Sequence, residues 1–242
     1  MNFFSLLKRK LIFILKDKEN IDKHNFKKST SLESLFLYYK TDKAQKYKDG
    51  QGHGFSKYYT KHINKFRTKR IKFLEIGCGE GISAAAFTKY LKKSNAYCLD
   101  VNLTNVRIKS KRINYFGLNS SNERLMSNFL SKYKLKKNSF DFIIDDASHN
   151  LSDQLFSLNF FFKHLKKNTL YIIEDYKFPN YFARNYDVKE LKISEIIKKI
   201  KSKKYFKSKI LKNDTIKELL ASKVFKYKGN GIHSDIVFFQ KQ

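Results

Sequence analysis

The chain has 242 residues, 41% of them hydrophobic and 16% aromatic beside 30% charged, which argues for a packed globular protein without disorder beyond the ends and leaves room for one sizeable core, read as one domain with a terminal extension. Two cysteines, Cys78 and Cys98, exclude a disulfide framework and are expected to be reduced thiols in a cytoplasmic protein. The formal net charge of +29 points to an anionic partner, but the excess is mostly Lys, in a chain rich in Asn, Ile and Phe with one Pro and no Trp; that pattern fits compositional bias as well, and specific phosphate or base readout would favour the fork of Arg, so no specific nucleic acid is expected.

Residues 1–30 read as a basic amphipathic extension. Phe3, Phe4, Leu6, Leu7, Leu11, Ile12, Phe13, Ile14 and Leu15 are set among Lys8, Arg9, Lys10 and Lys16. The apolar run is too short to span a bilayer. Lys16-Asp17-Lys18-Glu19 stands where a signal peptide would carry its small-residue cleavage site. Two readings stay open: a helix at the surface of an anionic membrane through residues 1–16, or a helix packed on the domain. Residues 31–69 read as a helical and lid segment, and 70–242 as the main domain.

From Arg70 onward, short apolar runs alternate with helix-length segments, the pattern of an α/β domain with a parallel sheet. Ile71 to Ile76, Ala96 to Asp100, Ile113 to Phe116, Phe140 to Asp145 and Leu170 to Glu174 read as strands. Glu80 to Lys92 and Ser152 to Leu165 are the clearest helices. Ser152 is expected to cap the second, whose apolar face is Leu155, Leu158, Phe161, Phe162 and Leu165. Further helices are expected over Leu191 to Ile200 and Ile216 to Leu220. The tail closes with Lys223 to Tyr227 and Ser234 to Phe239, joined through Gly229-Asn230-Gly231 as a hairpin. The expected fold is therefore α/β, Rossmann-like and doubly wound: a mostly parallel seven-stranded sheet with an antiparallel last strand.

Three of only nine glycines lie within five residues, at Gly77, Gly79 and Gly81, after a buried strand and before a helix. There they permit a tight turn and close approach of a ligand to the backbone, beside helix N-terminal amides. A dinucleotide-binding turn would place its third glycine at position 82, which is Ile82. Glu75 precedes the first glycine by two residues, where a methyltransferase carries an acid for the methionine part of its cofactor. Asp100 ends the next strand, where a carboxylate accepts ribose hydroxyls.

A second group of polar residues ends the fourth and fifth strands: Asp145, Asp146 and His149, then Glu174 and Asp175. Ligands of open α/β sheets bind outside the carboxyl ends of strands. So many carboxylates repel one another unless a divalent cation lies between them, and oxygen donors suit Mg²⁺ better than zinc. His149 beside them would take a proton from a substrate hydroxyl. Capping of the following helices by Asp146 and Asp175 is the alternative.

Asp145-Asp146-Ala147-Ser148-His149, then Phe160-Phe161, then Tyr171-Ile172-Ile173-Glu174-Asp175 resembles the macrocin and mycinamicin sugar O-methyltransferase family and its relatives in polysaccharide gene clusters. The segment Tyr39-Lys40-Thr41-Asp42-Lys43, with His53-Gly54-Phe55-Ser56 and Tyr58-Tyr59, is similar to the N-terminal part of those relatives. The resemblance implies S-adenosylmethionine held by Glu75, Gly77, Gly79, Gly81, Asp100, Asn119, Ser120 and Asp145, with Mg²⁺ on Asp146, Glu174 and Asp175 and His149 as base. It also implies that Thr41 to Tyr59 folds over the site as a lid, with glycines at 50, 52 and 54. Two departures stand out: Lys167-Asn168 replaces Gly-Gly before the fifth strand, and Gly117-Leu118-Asn119-Ser120-Ser121 replaces a Gly-Asp-Gln-Ser-like run.

The implied function is O-methylation of a sugar hydroxyl on a glycan, polysaccharide or glycosylated metabolite by a class I S-adenosylmethionine-dependent methyltransferase. It would be cytoplasmic, peripheral at the inner face of the membrane if residues 1–16 bind it, and a homo-oligomer is compatible. An RNA methyltransferase and a non-catalytic Rossmann-like scaffold at a membrane are the alternatives.

Overall fold

In the computed structural model, residues up to Asn119 form one compact unit and residues from Ser120 another. Residues 3–48 and 50–242 are described, so Met1 and Asn2 of the expected extension and Asp49 of the expected lid lie outside the described residues.

In the first unit, α1 (Phe3–Leu15) is followed by α2 (Leu32–Tyr38), α3 (Ser56–Ile63), β1 (Arg70–Ile76), α4 (Ile82–Tyr90), β2 (Lys93–Asp100) and β3 (Ile113–Gly117). The three strands are parallel in the order β1-β2-β3, with Glu75 opposite Cys98 and Cys98 opposite Tyr115. Phe36 of α2 and Tyr59 of α3 close on Phe87 of α4 with ring centroids 5.3 and 4.9 Å away, which fastens the 31–69 segment to the first crossover helix. All three rings are buried, so truncating Phe87 to Ala would cost about 3–5 kcal/mol. The Thr41–Phe55 loop is tied to itself by backbone bonds from Gly54 to Ala44 (2.8 Å) and Phe55 to Lys43 (2.9 Å). A Cβ on Gly52 would stand 2.2 Å from the Ala44 carbonyl oxygen, so close packing of two backbones requires glycine there. Gly50 carries no such constraint, its nearest neighbour being 3.8 Å away.

The α1 helix has properties of both expected readings. Phe13 packs edge-on against Tyr115, centroids 6.1 Å apart, and Lys16 donates to the carbonyls of Thr104 and Asn105. Phe4, Leu7, Leu11, Ile14 and Leu15 remain exposed. No helix among the described residues is long and apolar enough to cross a membrane.

The second unit contains α5 (Glu123–Lys132), β4 (Phe140–Asp145), α6 (Leu151–Phe161), β5 (Leu165–Glu174), α7 (Phe178–Tyr181), α8 (Ile193–Lys201), α9 (Asn213–Ala221), β6 (Lys223–Lys228) and β7 (Asp235–Gln240). Its strand order is β6-β7-β5-β4, with β4 and β5 parallel and β7 antiparallel to both β5 and β6. The late antiparallel strand is thus inserted as expected. Every residue of β4 is buried.

Three local expectations differ. Gly81, left-handed at φ 81°, starts α4 two residues later than expected. Asn150, not Ser152, occupies the N-cap of α6, and the Leu151 amide finds its acceptor on the Asn185 side chain at 2.9 Å, a partner remote in sequence. Leu165 opens β5 rather than closing the helix, because α6 tightens into a 3₁₀ turn over Phe162–His164. The start of β5 is irregular: Phe140 pairs with Leu165 but Phe142 with Leu170. Asn168 sits there at φ 60°, a left-handed position that Asn tolerates where the resembled family carries glycine.

Candidate active site

The candidate site residues of the first unit form a turn made mainly of backbone. Gly77, Gly79 and Gly81 have φ of 85°, 49° and 81°, so all three occupy the left-handed region that side chains penalise. The turn hangs from the end of β2: the Gly77 amide donates to the Leu99 carbonyl at 2.8 Å, and the Gly79 amide to the Asp100 carboxylate at 2.9 Å. The other Asp100 oxygen accepts from the Asn102 amide at 2.8 Å, so the carboxylate is held in place by two amides. Glu75 is fully buried beneath the turn and accepts a short hydrogen bond from Ser83 Oγ in the first turn of α4. The Leu118 amide donates to the Asp100 carbonyl at 2.9 Å, which sets Asn119 next along the chain from the end of β2.

Gly81 has a second reason to be glycine. A Cβ there would stand 2.3 Å from the Tyr115 hydroxyl and 3.0 Å from its Cζ. Among the described residues that hydroxyl is buried without a hydrogen-bond partner, and burial pushes its pKa well up, so it stays a neutral donor. Ser83 and Tyr115 escaped the sequence reading. Ser83 had a signal, a hydroxyl one turn into the helix that the glycines open; Tyr115 had none, because its register opposite Cys98 is a property of the sheet.

The candidate site residues of the second unit form a separate cluster of side chains. His149, at φ 56°, and Asp175, at φ 49°, are non-glycine residues in the left-handed region. Such strain, of order 1–3 kcal/mol each, persists only where surrounding structure enforces it. His149 Nε2 lies 3.8 Å from Asp146 Oδ1 and 4.0 Å from Asp175 Oδ2, although its sequence separates it from Asp175 by a helix and a strand. The loop bearing it is fastened by Asp153 of α6, which accepts from Ser148 Oγ, from Ser121 Oγ at 2.6 Å and from Asn150 Nδ2 at 3.4 Å. Glu174 ends β5 and is buried opposite Ile236. The capping alternative is not realised, since Asn150 and Lys177 hold the N-cap positions of α6 and α7.

Asp145 is drawn inward. It is buried at the end of β4, and the Tyr171 hydroxyl donates to its Oδ2 at 3.4 Å. Desolvation raises its pKa to about 8; the neighbouring Asp146 charge adds to the rise, while the Ala147 amide and Tyr171 oppose it. It is therefore mostly a neutral carboxylic acid at pH 7. Tyr171 and Asp153 are further site residues missed in the sequence, and their roles depend on which strand faces align.

The acids expected to hold a metal supply oxygen donors suited to Mg²⁺. Among the described residues, however, no three His, Cys, Asp or Glu side chains are grouped so as to hold a metal ion. Asp146 and Asp175 instead both face the His149 ring.

Residues 74–173 match a family described as a methyltransferase domain. L-olivosyl-oleandolide 3-O-methyltransferase of Streptomyces antibioticus is 27% identical over 151 residues, covering 60% of this chain and 36% of that protein. Mycinamicin VI 2''-O-methyltransferase of Micromonospora griseorubida is 27% identical over 130 residues, covering 51% of this chain and 31% of that protein. Among solved structures, the MycE methyltransferase from the mycinamycin biosynthetic pathway, in complex with Mg and SAH, matches with a TM-score of 0.65 at 20% identity, over 88% of this chain and 54% of that one. The chain thus spans about a third of the curated relatives it matches. The resemblance to the mycinamicin and macrocin enzymes carried by the motifs is borne out.

Proposed function

We propose, for a chain that has the class I methyltransferase fold and carries a methyltransferase domain over residues 74–173, that it is an S-adenosylmethionine-dependent O-methyltransferase acting on a sugar hydroxyl. The observation that carries the proposal is the turn at Gly77, Gly79 and Gly81, left-handed at all three glycines and closed on the Asp100 carboxylate. Backbone without side chains at such a turn admits close approach of a nucleoside, and a fixed carboxylate suits its ribose hydroxyls. Glu75, Gly77, Gly79, Gly81, Asp100, Asn119, Ser120 and Asp145 are the proposed cofactor residues. The sugar acceptor follows from the names of the relatives, O-methyltransferases of L-olivosyl-oleandolide and mycinamicin VI; glycan and polysaccharide acceptors belong to the same chemistry.

When bound, S-adenosylmethionine supplies the sulfonium methyl. Transfer of that methyl to the acceptor oxygen would release the hydroxyl proton, which His149 is placed to take. Asp146 and Asp175, both within 4.0 Å of His149 Nε2, stabilise the positive charge the ring acquires. Mg²⁺ is proposed as cofactor because the solved relative contains it, with Asp146, Glu174 and Asp175 as its holders. Asp146 and Asp175 face His149, and among the described residues no three such side chains are grouped to hold a metal, so the proton transfer is derived without the ion.

The remaining parts of the proposal are the 1–30 extension, the 31–69 lid segment and the 70–242 catalytic domain, a cytoplasmic location, peripheral contact of residues 1–16 with anionic lipid, and homo-oligomer formation. Calorimetry with S-adenosylhomocysteine tests the core of the reading, and absence of binding would sink it. Turnover unchanged both by EDTA and by His149→Ala would remove the metal and the base while leaving methyl transfer in place.

A further inference from the structure

A chain of ring contacts in the second unit starts at His149 and builds an aromatic shelf from tilted and stacked rings. The Phe178 ring is centred 5.4 Å from the His149 ring and stacks on Phe182 at 3.9 Å, with 27° between planes. His233, from the β6–β7 hairpin, continues the shelf, 5.8 Å from Phe182 and 4.6 Å from Tyr181. The shelf is not core: Phe178 and Phe182 are half-buried, His233 is exposed and Tyr181 is 44% exposed. Phe178 and Phe182 spend one face on each other, so the surface offered to a ligand is the exposed Tyr181 ring beside the edges of that stacked pair; such a surface suits the C–H face of a pyranose, whose hydroxyls stay at the rim.

A cation sits on the same shelf. The Arg184 guanidinium lies 5.0 Å from the centroid of Phe178 and 5.6 Å from that of Phe182. Nearby Lys177 and Lys228 are both engaged by the buried Asp235, at 2.6 and 3.4 Å. Arg184 makes no ion pair among the described residues. In a chain whose positive charge is mostly Lys, the side chain over the shelf is the one with a planar fork matched to phosphate or carboxylate.

We propose that this shelf is the acceptor subsite and that Arg184 makes it select sugars bearing an anionic group, a phosphate or a carboxylate. The proposal rests on the reading of His149 as the base of a sugar methyltransferase. A sugar packed on Tyr181 and against the edge of the Phe178–Phe182 pair turns a ring hydroxyl toward His149, and the anionic substituent is taken by Arg184.

The test uses the full chain saturated with S-adenosylhomocysteine. Binding of hexose 1-phosphates (glucose, galactose, mannose and rhamnose), the corresponding methyl glycosides and methyl glucuronide is measured by calorimetry and saturation-transfer NMR. At least one anionic sugar is expected to bind about tenfold tighter than its neutral counterpart. Arg184→Gln removes that preference and Arg184→Lys retains part of it. Tyr181→Ala weakens neutral and anionic sugars alike, by about fivefold. Phosphates and uronide separate the two sources of charge. The proposal is overturned if no sugar in the panel binds, if charged and neutral sugars bind equally, or if Arg184→Gln keeps the preference while thermal unfolding is unchanged. Failure to bind S-adenosylhomocysteine at all is a different result and rejects the methyltransferase reading itself.

Discussion

The glycine turn of the first unit and the acidic cluster of the second solve the same problem, holding a functional group still, by opposite means. At Gly77 to Gly81 the rigid object is the main chain, fixed by its own amides and by Asp100. At His149 the rigid object is a side chain held at a strained backbone angle, between acids that belong to two different strand ends. A backbone site announces itself through the residue type that permits its angles. A side-chain site conceals its geometry, because His and Asp at φ near 50° look like any other His and Asp in a sequence.

Substitution at the base would separate the two regions most sharply. His149→Ala is expected to lower kcat by about 10²–10⁴-fold, with S-adenosylhomocysteine affinity unchanged in calorimetry. Equal loss of binding and turnover would mean that the histidine supports structure rather than proton transfer.

Within the glycine turn, Gly79 and Gly81 make a paired comparison. Gly81→Ala meets both the left-handed angle and the Tyr115 hydroxyl at 2.3 Å, whereas Gly79→Ala meets the angle alone, with nothing within 4 Å. The angle costs about 1–2 kcal/mol. Denaturant titration should therefore find Gly81→Ala clearly the more destabilising, with partial rescue by Tyr115→Phe. Equal losses would show that Tyr115 moves aside.

A smaller effect concerns Asp145. Its pKa rises from the ordinary 3.8 to about 8 on folding, so the native state keeps a proton that the unfolded chain has lost. Stability from this group is complete below about pH 4 and declines as pH climbs toward 8. Asp145→Asn should flatten that decline in thermal midpoints measured across the interval. Tyr171→Phe, which removes one hydrogen bond that lowers the folded-state pKa of the carboxyl, should leave the onset of the decline in place and extend its upper end to slightly higher pH.

The least effect on catalysis is expected from the outer face of α1. Leu11→Glu with Leu15→Glu should reduce cosedimentation with vesicles containing anionic lipid and leave methyl transfer in solution intact. Vesicle binding equal to that of the unsubstituted protein would assign those exposed residues to another partner.

Much of the fold was legible because its signals are local. β4 matched its expected bounds, since Phe142-Ile143-Ile144 is a short apolar run of aromatic and β-branched residues with Asp141 and Asp145 at its ends, too short for a helix. The beginning of β2 was missed because Lys93-Ser94-Asn95 is polar, and its pairing with Arg70-Ile71-Lys72 comes from the neighbouring strand. The start of β5 and the cap of α6 were misread for the same reason. Asn168 absorbs a register shift against Phe140, and Asn185 satisfies Leu151 from 34 residues away.

The amino-acid sequence by itself determined the α/β order, the turn built on Gly77, Gly79 and Gly81, and the identity of the acids and the histidine that carry the proposed chemistry. Periodicity and glycine placement are properties of neighbouring residues, so they survive without a structure. Tertiary structure alone decided that Tyr115 crowds Gly81, that Asp145 is buried and neutral while Asp146 and Asp175 face His149, and that Phe178, Phe182 and Arg184 make a shelf beside it. Those relations depend on strand register, burial and loop strain, which arise from contacts between residues far apart in the chain.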